Sequence, residues 1–395
     1  MAITQRKTSV AILGGGLAGL TCAALLEKEG IDYLLIDGQA EFGGLIQGQM
    51  EQGICLDYGL KSIPVGDVTA NPLLQLNKLL NLELPIESWN LPPVVFGKNE
   101  FSEFVGFGST KNRSLIEELS YYTSSPRLLV SGGWSKLIDQ LLKIIPDSKK
   151  RTRSHVTKLE VTDNVVTSVL INGDTQLTAD RFVFTFSPSA LKSLLPIDAV
   201  NAKTLQRIAK TEPFTVLSLD IAINQPVSEL KNIMVLNDGG DDDFYVLGQF
   251  VTNVDPMREN AGLQISTWLT LINEETTIDD EATSKVIRNM KKVIKKAFPE
   301  LITKKSWERL LAVPRAIGNF DQLQLEKNGT LPGLTNLYMC GGQINGEHRN
   351  TEAAIKSAQA VASQLVKKST SAFYKPATEI EIAEIKSTEV ETTQV

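Results

Sequence analysis

The sequence predicts an α/β fold that begins with a parallel β-α-β unit, and three stretches carry this prediction. Residues 8–13 are β-branched and apolar over the length of one strand, and residues 33–36 form a second such run. Between them, residues 20–30 carry alanine and leucine at helical spacing, and Gly30 stands in the position of a C-cap. A strand, a helix and a strand in this order place the two strands side by side.

The turn from the first strand into the helix is a run of glycines that fits G-x-G-x-x-G. Gly14 permits the tight turn, Gly16 lets a pyrophosphate approach the backbone, and Gly19 lets the helix pack on the strand. Leu17 and Ala18 stand at the helix N-terminus, where free N–H groups and a partial positive charge attract an anion. The motif therefore predicts a dinucleotide site, and an ordinary β-α-β turn is the alternative.

The second strand ends in an acidic residue, which narrows the choice of nucleotide. Asp37, followed by Gly38, stands about 20 residues after the glycine turn, where a carboxylate can accept hydrogen bonds from ribose hydroxyls. A negative charge at this position disfavours a 2′-phosphate. The pattern therefore favours FAD or NAD over NADP.

The composition sets wider limits on the class of protein. The chain has 395 residues, enough for two domains, and its 42% hydrophobic and 22% charged content is that of a globular protein. A net charge of −6 argues against a general nucleic-acid binder. No apolar run reaches membrane-spanning length and residues 1–7 lack the apolar core of a secretory signal, so we expect a cytoplasmic location. Three widely spaced cysteines and two histidines exclude a histidine-rich metal site and give little support to a Ser-His-Asp hydrolase.

Two short segments after the second strand point to a particular family. Gly43 and Gly44 follow that strand, and Asp57 and Gly59 form a D-x-G segment. With the glycine turn, they resemble the FAD-dependent amine oxidase, protoporphyrinogen oxidase and phytoene desaturase superfamily. The resemblance implies FAD as the cofactor, and a Rossmann-type FAD-binding domain (glutathione-reductase-like) with an inserted α+β substrate domain. Leu45 stands where the family usually has an arginine near the FAD phosphates.

Later segments resemble the same superfamily. Residues 131–137 are similar to the segment that returns the chain to the FAD-binding domain. Val156, in a predicted strand meander, matches the residue whose backbone contacts the adenine. Residues 307–318 are similar to the approach segment of protoporphyrinogen oxidases. The resemblance therefore extends over most of the chain.

The last signature is a predicted strand followed by a predicted helix. Gly341 and Gly342 end the strand, and Thr351, Glu352 and Ala353 begin the helix, whose N-terminus by the resemblance faces the flavin pyrimidine. The helix dipole there would stabilise negative charge on the reduced flavin. The sequence departs from the family at Gly342, where an acid or asparagine is usual, and at Ala353, where a glycine is usual.

By the resemblance, alternating segments of the chain build two domains. Residues 1–62, 131–190 and 313–367 are assigned to the FAD-binding domain, residues 63–130 and 191–312 to the substrate domain, and residues 368–395 to a disordered tail. The tail is rich in Ser, Thr, Glu and Ile without stable periodicity. A second G-x-G-x-x-G does not occur in the sequence, which argues against a separate NAD(P)H site.

The resemblance implies an FAD-dependent oxidoreductase that transfers a hydride from a substrate C–H or C–N bond to flavin N5. The implied substrate is a small, hydrophobic molecule. A non-redox isomerase or mutase that uses FAD, and an FAD-binding protein without catalysis, are the alternatives. The sequence leaves open the substrate, the electron acceptor and the oligomeric state.

Four residues are candidates for the catalytic site. Lys61 follows the D-x-G segment and could act as a base or polarise a water, and a surface lysine fits the pattern equally well. Arg315 lies in the segment similar to protoporphyrinogen oxidases. His348 and Arg349 precede the last helix and could bind an anionic substrate or the flavin edge, with a salt-bridged surface loop as the alternative.

Overall fold

A computed structural model describes most of the chain and gives the bounds of its elements. The described residues are 4–65, 70–108, 112–209, 212–238, 244–258, 262–319, 323–344 and 349–370. The strands are β1 (Thr4–Leu13), β2 (Tyr33–Ile36), β3 (Gly48–Glu51), β4 (Ile54–Asp57), β5 (Ile63–Pro64), β6 (Ile86–Trp89), β7 (Val94–Gly97), β8 (Glu100–Glu103), β9 (Arg127–Val130), β10 (Lys150–Arg151), β11 (Val156–Thr162), β12 (Val165–Ile171), β13 (Thr175–Phe184), β14 (Glu212–Ile223), β15 (Met234–Asn237), β16 (Tyr245–Phe250), β17 (Gln264–Ile272), β18 (Trp307–Asn319) and β19 (Leu337–Met339). The helices are α1 (Leu17–Lys28), α2 (Pro72–Leu80), α3 (Arg113–Thr123), α4 (Ser135–Ile144), α5 (Leu191–Leu194), α6 (Ala202–Ala209), α7 (Val251–Val254), α8 (Glu274–Ile278), α9 (Asp280–Ala297), α10 (Pro299–Thr303) and α11 (Asn350–Thr370).

The first sheet contains the predicted β-α-β unit. Its strand order is β10-β2-β1-β13-β12-β11, and β19 pairs with β13. Strands β10, β2, β1, β13 and β19 are parallel, and β12 and β11 form an antiparallel meander at one edge. The strands come from three separate parts of the chain, which the parallel pairing of β1, β13 and β19 brings together.

Strand β1 is buried on both faces of this sheet, as a parallel strand between helical layers must be. The side chains of Val10 and Ile12 belong to the apolar cluster that contains residues of α1 and α11. The side chains of Ala11 and Leu13 belong to a second apolar cluster, on the opposite face of the sheet. Successive side chains of a strand point to opposite faces, so a continuous apolar run serves both layers. This explains why residues 8–13 are apolar without alternation.

The second sheet has the order β18-β14-β17-β16-β15-β7-β8 and is antiparallel except between β15 and β7. On one face, Leu219, Ile221 and Trp268 pack against α9 and α10. On the other face, Phe214 and Val216 form an apolar cluster with residues of α3 and with the segment after β4. The face that carries Phe214 and Val216 is therefore directed towards the first sheet.

One sequence prediction needs correction. The first helix begins at Leu17 rather than at Leu20, because Gly16 already stands at the N-cap and Gly19 lies inside the helix. The stretch 82–127 contains β6, β7, β8, α3 and the start of β9. Prolines precede β6 and β7, where proline is compatible with the first residues of a strand, and these short strands escape a periodicity search.

Helix α11 runs past the predicted domain boundary at residue 367. The assignment of residues 368–370 to a disordered tail is wrong, because they continue the helix to Thr370. Lys368 Nζ also donates a hydrogen bond to Tyr338 Oη at 2.6 Å. Residues 371–395, the rest of the predicted tail, lie outside the described residues. Within the described ranges, the helices are all too short or too polar to cross a membrane.

Candidate active site

The carboxyl ends of the parallel strands meet at one edge of the first sheet and define the site. Strand β1 ends before Gly14, β2 before Asp37, β13 before Thr185, and β19 two residues before Gly341. In open α/β sheets, ligands bind outside the carboxyl ends of the strands, near the point where strand order reverses. The sheet topology therefore brings together the first and last predicted signatures.

The glycine turn has the geometry that its sequence predicts. A Cβ on Gly14 would lie 2.3 Å from Thr185 Oγ1, and a Cβ on Gly19 would lie 1.8 Å from the carbonyl oxygen of Gly14. A Cβ on Gly16, in contrast, would meet nothing within 4 Å. Gly14 and Gly19 are therefore required for packing, whereas Gly16 keeps open a space next to the N-terminus of α1.

Asp37 is held in place by backbone groups. Its Oδ2 accepts a hydrogen bond from the Gly15 N–H at 2.6 Å, and its Oδ1 accepts one from the Gln39 N–H at 2.7 Å. Each carboxylate oxygen has a second lone pair, so both can still accept from a ligand hydroxyl. Beside it, a Cβ on Gly38 would lie 2.5 Å from His155 Nδ1, so the His155 ring packs on this glycine.

Gly43 and Gly44 pack against the glycine turn and do not form a loose surface loop. The Gly43 N–H donates to the Gly15 carbonyl oxygen at 2.8 Å, and a Cβ on Gly44 would lie 3.1 Å from Gly16 Cα. Leu45, at the position where an arginine is usual, is 41% exposed and lines the cavity described below.

The last strand and the last helix are joined by short backbone contacts. The Asn350 N–H donates to the Gly342 carbonyl oxygen at 3.0 Å, and a Cβ on Gly342 would lie 2.6 Å from the Asn350 carbonyl oxygen. The Gly341 N–H donates to Ser357 Oγ at 2.9 Å. Because any larger residue at 342 would collide with the helix, the departure from the family at this position is compatible with local packing.

These elements surround a cavity of about 350 Å³. Predicted residues that line it are Gly14, Gly16, Leu17, Ala18, Asp37, Gly44, Leu45, Lys61, Arg315, Gly341, Gly342 and Thr351. Predicted residues that do not line it are Gly19, Gly38, Gly43, Val156, Arg349, Glu352 and Ala353. His348 lies outside the described residues. Lining residues that the sequence analysis missed include Leu60, Ser62, Tyr121, Tyr122, Phe186, Ile317 and Asn350.

The cavity has two ends of different character. The nucleotide end is formed by Gly14, Gly16–Ala18, Asp37 and Gly44, which present mainly backbone groups. The sheet end is formed by Leu60–Ser62, Tyr121–Tyr122 and Ile317, and several of these side chains belong to the apolar cluster on the second sheet.

Lys61 is the basic group at the sheet end. Within the described part of the chain, its Nζ has no hydrogen-bond or ion-pair partner, and the side chain is half-buried. Burial lowers the pKa of Lys61, and the charge of Asp57 partly offsets that shift. Trp134 fixes the segment, because its backbone N–H donates to Asp57 Oδ1 at 2.9 Å and its ring N–H donates to the Lys61 carbonyl oxygen. The structure therefore favours a cavity lysine over a surface lysine.

Arg315 lines the cavity, but its guanidinium is engaged at the surface. Its Nε donates to Glu274 Oε1 at 3.0 Å, and the Arg315 side chain is 54% exposed. Its backbone lies in the left-handed region, with φ of 52°, and its carbonyl oxygen accepts from Gln343 Nε2 at 2.8 Å. A catalytic role for the Arg315 side chain stays a prediction that this geometry does not favour.

Arg349 forms ion pairs and is not directed into the cavity. It contacts Glu118 at 3.0 Å and Glu117 at 3.1 Å, both on α3. Burial raises the pKa of Glu118, and the charge of Arg349 partly offsets this shift. The expected contact of Arg349 with an anionic substrate is corrected to a link between α3 and the start of α11, which agrees with the salt-bridged alternative.

A buried arginine that the sequence analysis missed lies behind the sheet end. Arg127 donates from Nε to Ser62 Oγ at 2.7 Å, and from its terminal nitrogens to the carbonyl oxygens of Ser62 at 2.6 Å and of Tyr121 at 2.7 Å. Glu352, in the first turn of α11, is 7% exposed. Burial raises the pKa of Glu352 to about 7, and the positive charge of Arg127 partly offsets that increase.

Comparisons with known proteins agree with this geometry. The profile described as "NAD(P)-binding Rossmann-like domain" matches residues 12–70, and the profile described as "Flavin containing amine oxidoreductase" matches residues 91–366, more than half of the chain. The chain belongs to the flavin-containing amine oxidoreductase family. As a member of this family it is an FAD-dependent oxidoreductase, and its predicted α/β fold with a Rossmann-type domain is confirmed.

Solved structures of low sequence identity share the fold of this flavin-containing amine oxidoreductase. An oxidoreductase from Methanosarcina mazei has 16% identity and a TM-score of 0.66, with 91% of this chain and 100% of that chain covered. A protein assigned as a protoporphyrinogen oxidase from Exiguobacterium has 11% identity and a TM-score of 0.69, with 93% and 100% covered. Wild-type putrescine oxidase bound to putrescine has 12% identity and a TM-score of 0.66, with 92% and 100% covered. No curated protein matches the sequence significantly.

The residues present fit FAD, the cofactor of this family. The open space at Gly16 and the N–H groups of Leu17 and Ala18 suit a pyrophosphate, and Asp37 can accept from ribose hydroxyls. The N-terminus of α11 lies at the same cavity through Asn350 and Thr351. At the nucleotide end, the groups that would hold the phosphates are backbone N–H groups, because Leu45 carries no cation.

Proposed function

We propose that this enzyme oxidises a small, apolar substrate by transfer of a hydride from a substrate C–H or C–N group to flavin N5, with Lys61 as the proton acceptor. When bound, FAD supplies the oxidising chemistry. The observation that carries the proposal is the position of Lys61, which lines a cavity with an otherwise mainly apolar sheet end and whose Nζ has no hydrogen-bond partner among the described residues. The protein residues then have to bind the substrate, exclude water and remove one proton.

The apolar character of the substrate follows from the walls of the sheet end. Leu60, Tyr122 and Ile317 line the cavity and pack with the face of the second sheet that carries Phe214 and Val216. Burying apolar surface here contributes about 25 cal/mol per Å² to binding. Tyr121 adds one polar group, because its buried hydroxyl has no hydrogen-bond partner among the described residues. We therefore propose a mainly apolar molecule with few polar groups.

The role of Lys61 follows from proton balance. Loss of a hydride and a proton from the substrate creates one new double bond, so two electrons leave with the hydride and the proton needs an acceptor. A lysine with a lowered pKa is neutral in a larger fraction of molecules and can take that proton. Trp134 holds the Lys61 backbone, which keeps the amine at a fixed place beside the cavity.

The test is anaerobic mixing of the FAD-loaded protein with apolar amines, polyenes and porphyrinogens, followed by absorption of the oxidised flavin. We expect bleaching with one of these classes. Lys61→Met should keep its FAD and slow bleaching by about 10²- to 10⁴-fold. The wild-type rate should also fall at low pH, where Lys61 gains a proton, and the variant should lack that fall.

Lys296→Met is the matched control, because Lys296 is an exposed lysine on α9. It should bleach at the wild-type rate. An unchanged rate in Lys61→Met would contradict the role of Lys61. Product formation without net electron transfer to an acceptor would instead support the isomerase or mutase alternative.

A further inference from the structure

We infer that Glu352 is a proton-binding group coupled to reduction of the cofactor: it takes up a proton from solvent when the flavin receives a hydride. The inference rests on the proposed redox function. It concerns a residue that is neither a lining residue of the cavity nor part of the proposed proton transfer from substrate.

The position of Glu352 supports the coupling. It follows Asn350 and Thr351, which line the cavity, and lies in the first turn of α11. Its side chain is 7% exposed, so the carboxylate is separated from bulk water by protein. Charges interact more strongly across such a medium than through water. A new charge at the cavity therefore shifts the pKa of Glu352.

Among the described residues, Arg127 is the cation that acts on Glu352. Arg127 on β9 stabilises the ionised carboxylate by its charge, and Tyr121 on α3 lies within electrostatic range. Arg127 is itself nearly fully buried and directs hydrogen bonds to Ser62 and Tyr121. These opposing effects of burial and counter-charge leave the carboxyl close to balance between its two protonation states near neutral pH.

The other charged groups described on the elements around α11 do not take the place of Arg127 in setting the protonation of Glu352. Glu118 and Arg349 pair with each other at 3.0 Å. Lys61 precedes Ser62, whose hydroxyl accepts a hydrogen bond from Arg127. Helix α2 contributes Lys78 beside the C-terminal half of α11. From α1 and the end of β19 come the buried thiols Cys22 and Cys340, whose raised pKa values keep them neutral.

The sign of the coupling follows from charge. A hydride brings two electrons and one proton, so it adds one negative charge at the cavity, and this charge is no longer balanced once Lys61 has released the substrate proton to solvent. A like charge disfavours the ionised carboxylate and raises the pKa of Glu352, which then binds a proton. By thermodynamic reciprocity, protonation of Glu352 makes reduction easier, so the reduction potential should depend more steeply on pH near neutrality.

The test is the midpoint potential of the bound FAD, measured from about pH 6 to about pH 8, where the carboxyl near pKa 7 titrates. For a two-electron couple, each additional proton steepens the dependence by up to about 30 mV per pH unit. We expect this extra steepness in the wild type and its loss in Glu352→Gln. Glu87→Gln, which removes an exposed carboxylate from β6, is the matched control and should behave like the wild type.

Equal slopes in wild type and Glu352→Gln would overturn the inference and leave the proposed oxidation intact. If Glu352→Gln does not retain FAD, the infrared difference between reduced and oxidised wild type, with and without isotope-labelled glutamate, decides the question. A new glutamate band of a protonated carboxyl supports the inference, and its absence overturns it. A wild-type protein that cannot bind FAD would overturn the proposed function and the coupling with it.

Discussion

The nucleotide end of the cavity is made of backbone groups, whereas the sheet end is made of side chains. At the nucleotide end, Gly16 leaves space and the first turn of α1 offers N–H groups. At the sheet end, Lys61, Tyr121 and Ile317 form the wall, and Arg127 holds part of it from behind. Many sequences can provide the backbone groups of the nucleotide end. The sheet end, in contrast, depends on particular side chains.

This difference explains why departures from the family pattern are tolerated. Leu45 and Gly342 lack the side-chain contacts of an arginine or an acid, but the neighbouring N–H groups and the open space at Gly16 remain. Ala353 replaces a glycine inside the buried part of α11. None of the three changes fills the space at Gly16. At the sheet end, in contrast, a single change of side chain alters charge or hydrogen bonding directly.

The largest effect is expected at Gly19. In Gly19→Val the new Cβ would lie 1.8 Å from the carbonyl oxygen of Gly14, a backbone atom that cannot move away. Overpacking costs of about 1–3 kcal/mol are typical, and a collision with backbone should exceed them. We expect little or no folded protein, measured by soluble yield and circular dichroism. Gly97→Val, which places the same side chain in open space on β7, should fold normally. A well-folded Gly19→Val would refute the packing of α1 on the turn.

Arg127→Met is expected to have the next largest effect. It leaves Glu352 without its counter-charge and the carbonyl oxygens of Ser62 and Tyr121 without their donors. Leaving a buried acceptor without its donor costs about 1–3 kcal/mol. We expect a clear drop in the thermal unfolding midpoint. The double variant Arg127→Met/Glu352→Gln should recover part of it, and the absence of any recovery would show that the two charges are not coupled.

A pH dependence of stability should follow from Glu352. Its pKa is about 7 in the folded protein against an ordinary value of 4.5, so the folded state binds the extra proton between these values. Stability from this group is therefore full below about pH 4.5 and is lost as the pH rises through about 7. Glu352→Gln should lack this loss when unfolding midpoints are compared at pH 5 and pH 8. The same pH dependence in both proteins would contradict burial of an ionisable Glu352.

The smallest effect is expected at Arg315. Its ion pair with Glu274 joins two half-exposed side chains, and such pairs contribute about 0–1 kcal/mol. Arg315→Gln should therefore retain its FAD and unfold within that range of the wild type. Loss of FAD or a tenfold slower flavin reduction in this variant would restore the predicted catalytic role.

The nucleotide end could be predicted from the sequence because its determinants are local. Gly14, Gly16 and Gly19 lie within one turn, and Asp37 follows at a distance set by one helix and one strand. Gly14 and Gly19 meet packing requirements that no other residue meets, and Gly16 leaves space for a ligand. The last signature, at Gly341 and Thr351, could be joined to the first only through the family resemblance.

The sheet end could not be predicted because its contacts join distant parts of the chain. Arg127 contacts Ser62, which is 65 residues away, and Arg349 contacts Glu118 across 231 residues. An arginine at a strand start carries no signal in the sequence that it will be buried. Arg349 was expected at a ligand for the same reason, since nothing in the sequence pairs it with the glutamates of α3.

FAD content, measured on wild type and Gly16→Val, tests the central claim most directly. Each purified protein is denatured, and the released cofactor is identified and quantified beside the visible spectrum. Gly97→Val serves as the control for the substitution itself. We predict a yellow wild type that releases FAD, and a folded Gly16→Val that carries none, because valine fills the open space next to α1. A fully flavinated Gly16→Val, or a colourless wild type that fails to take up added FAD, would contradict the account.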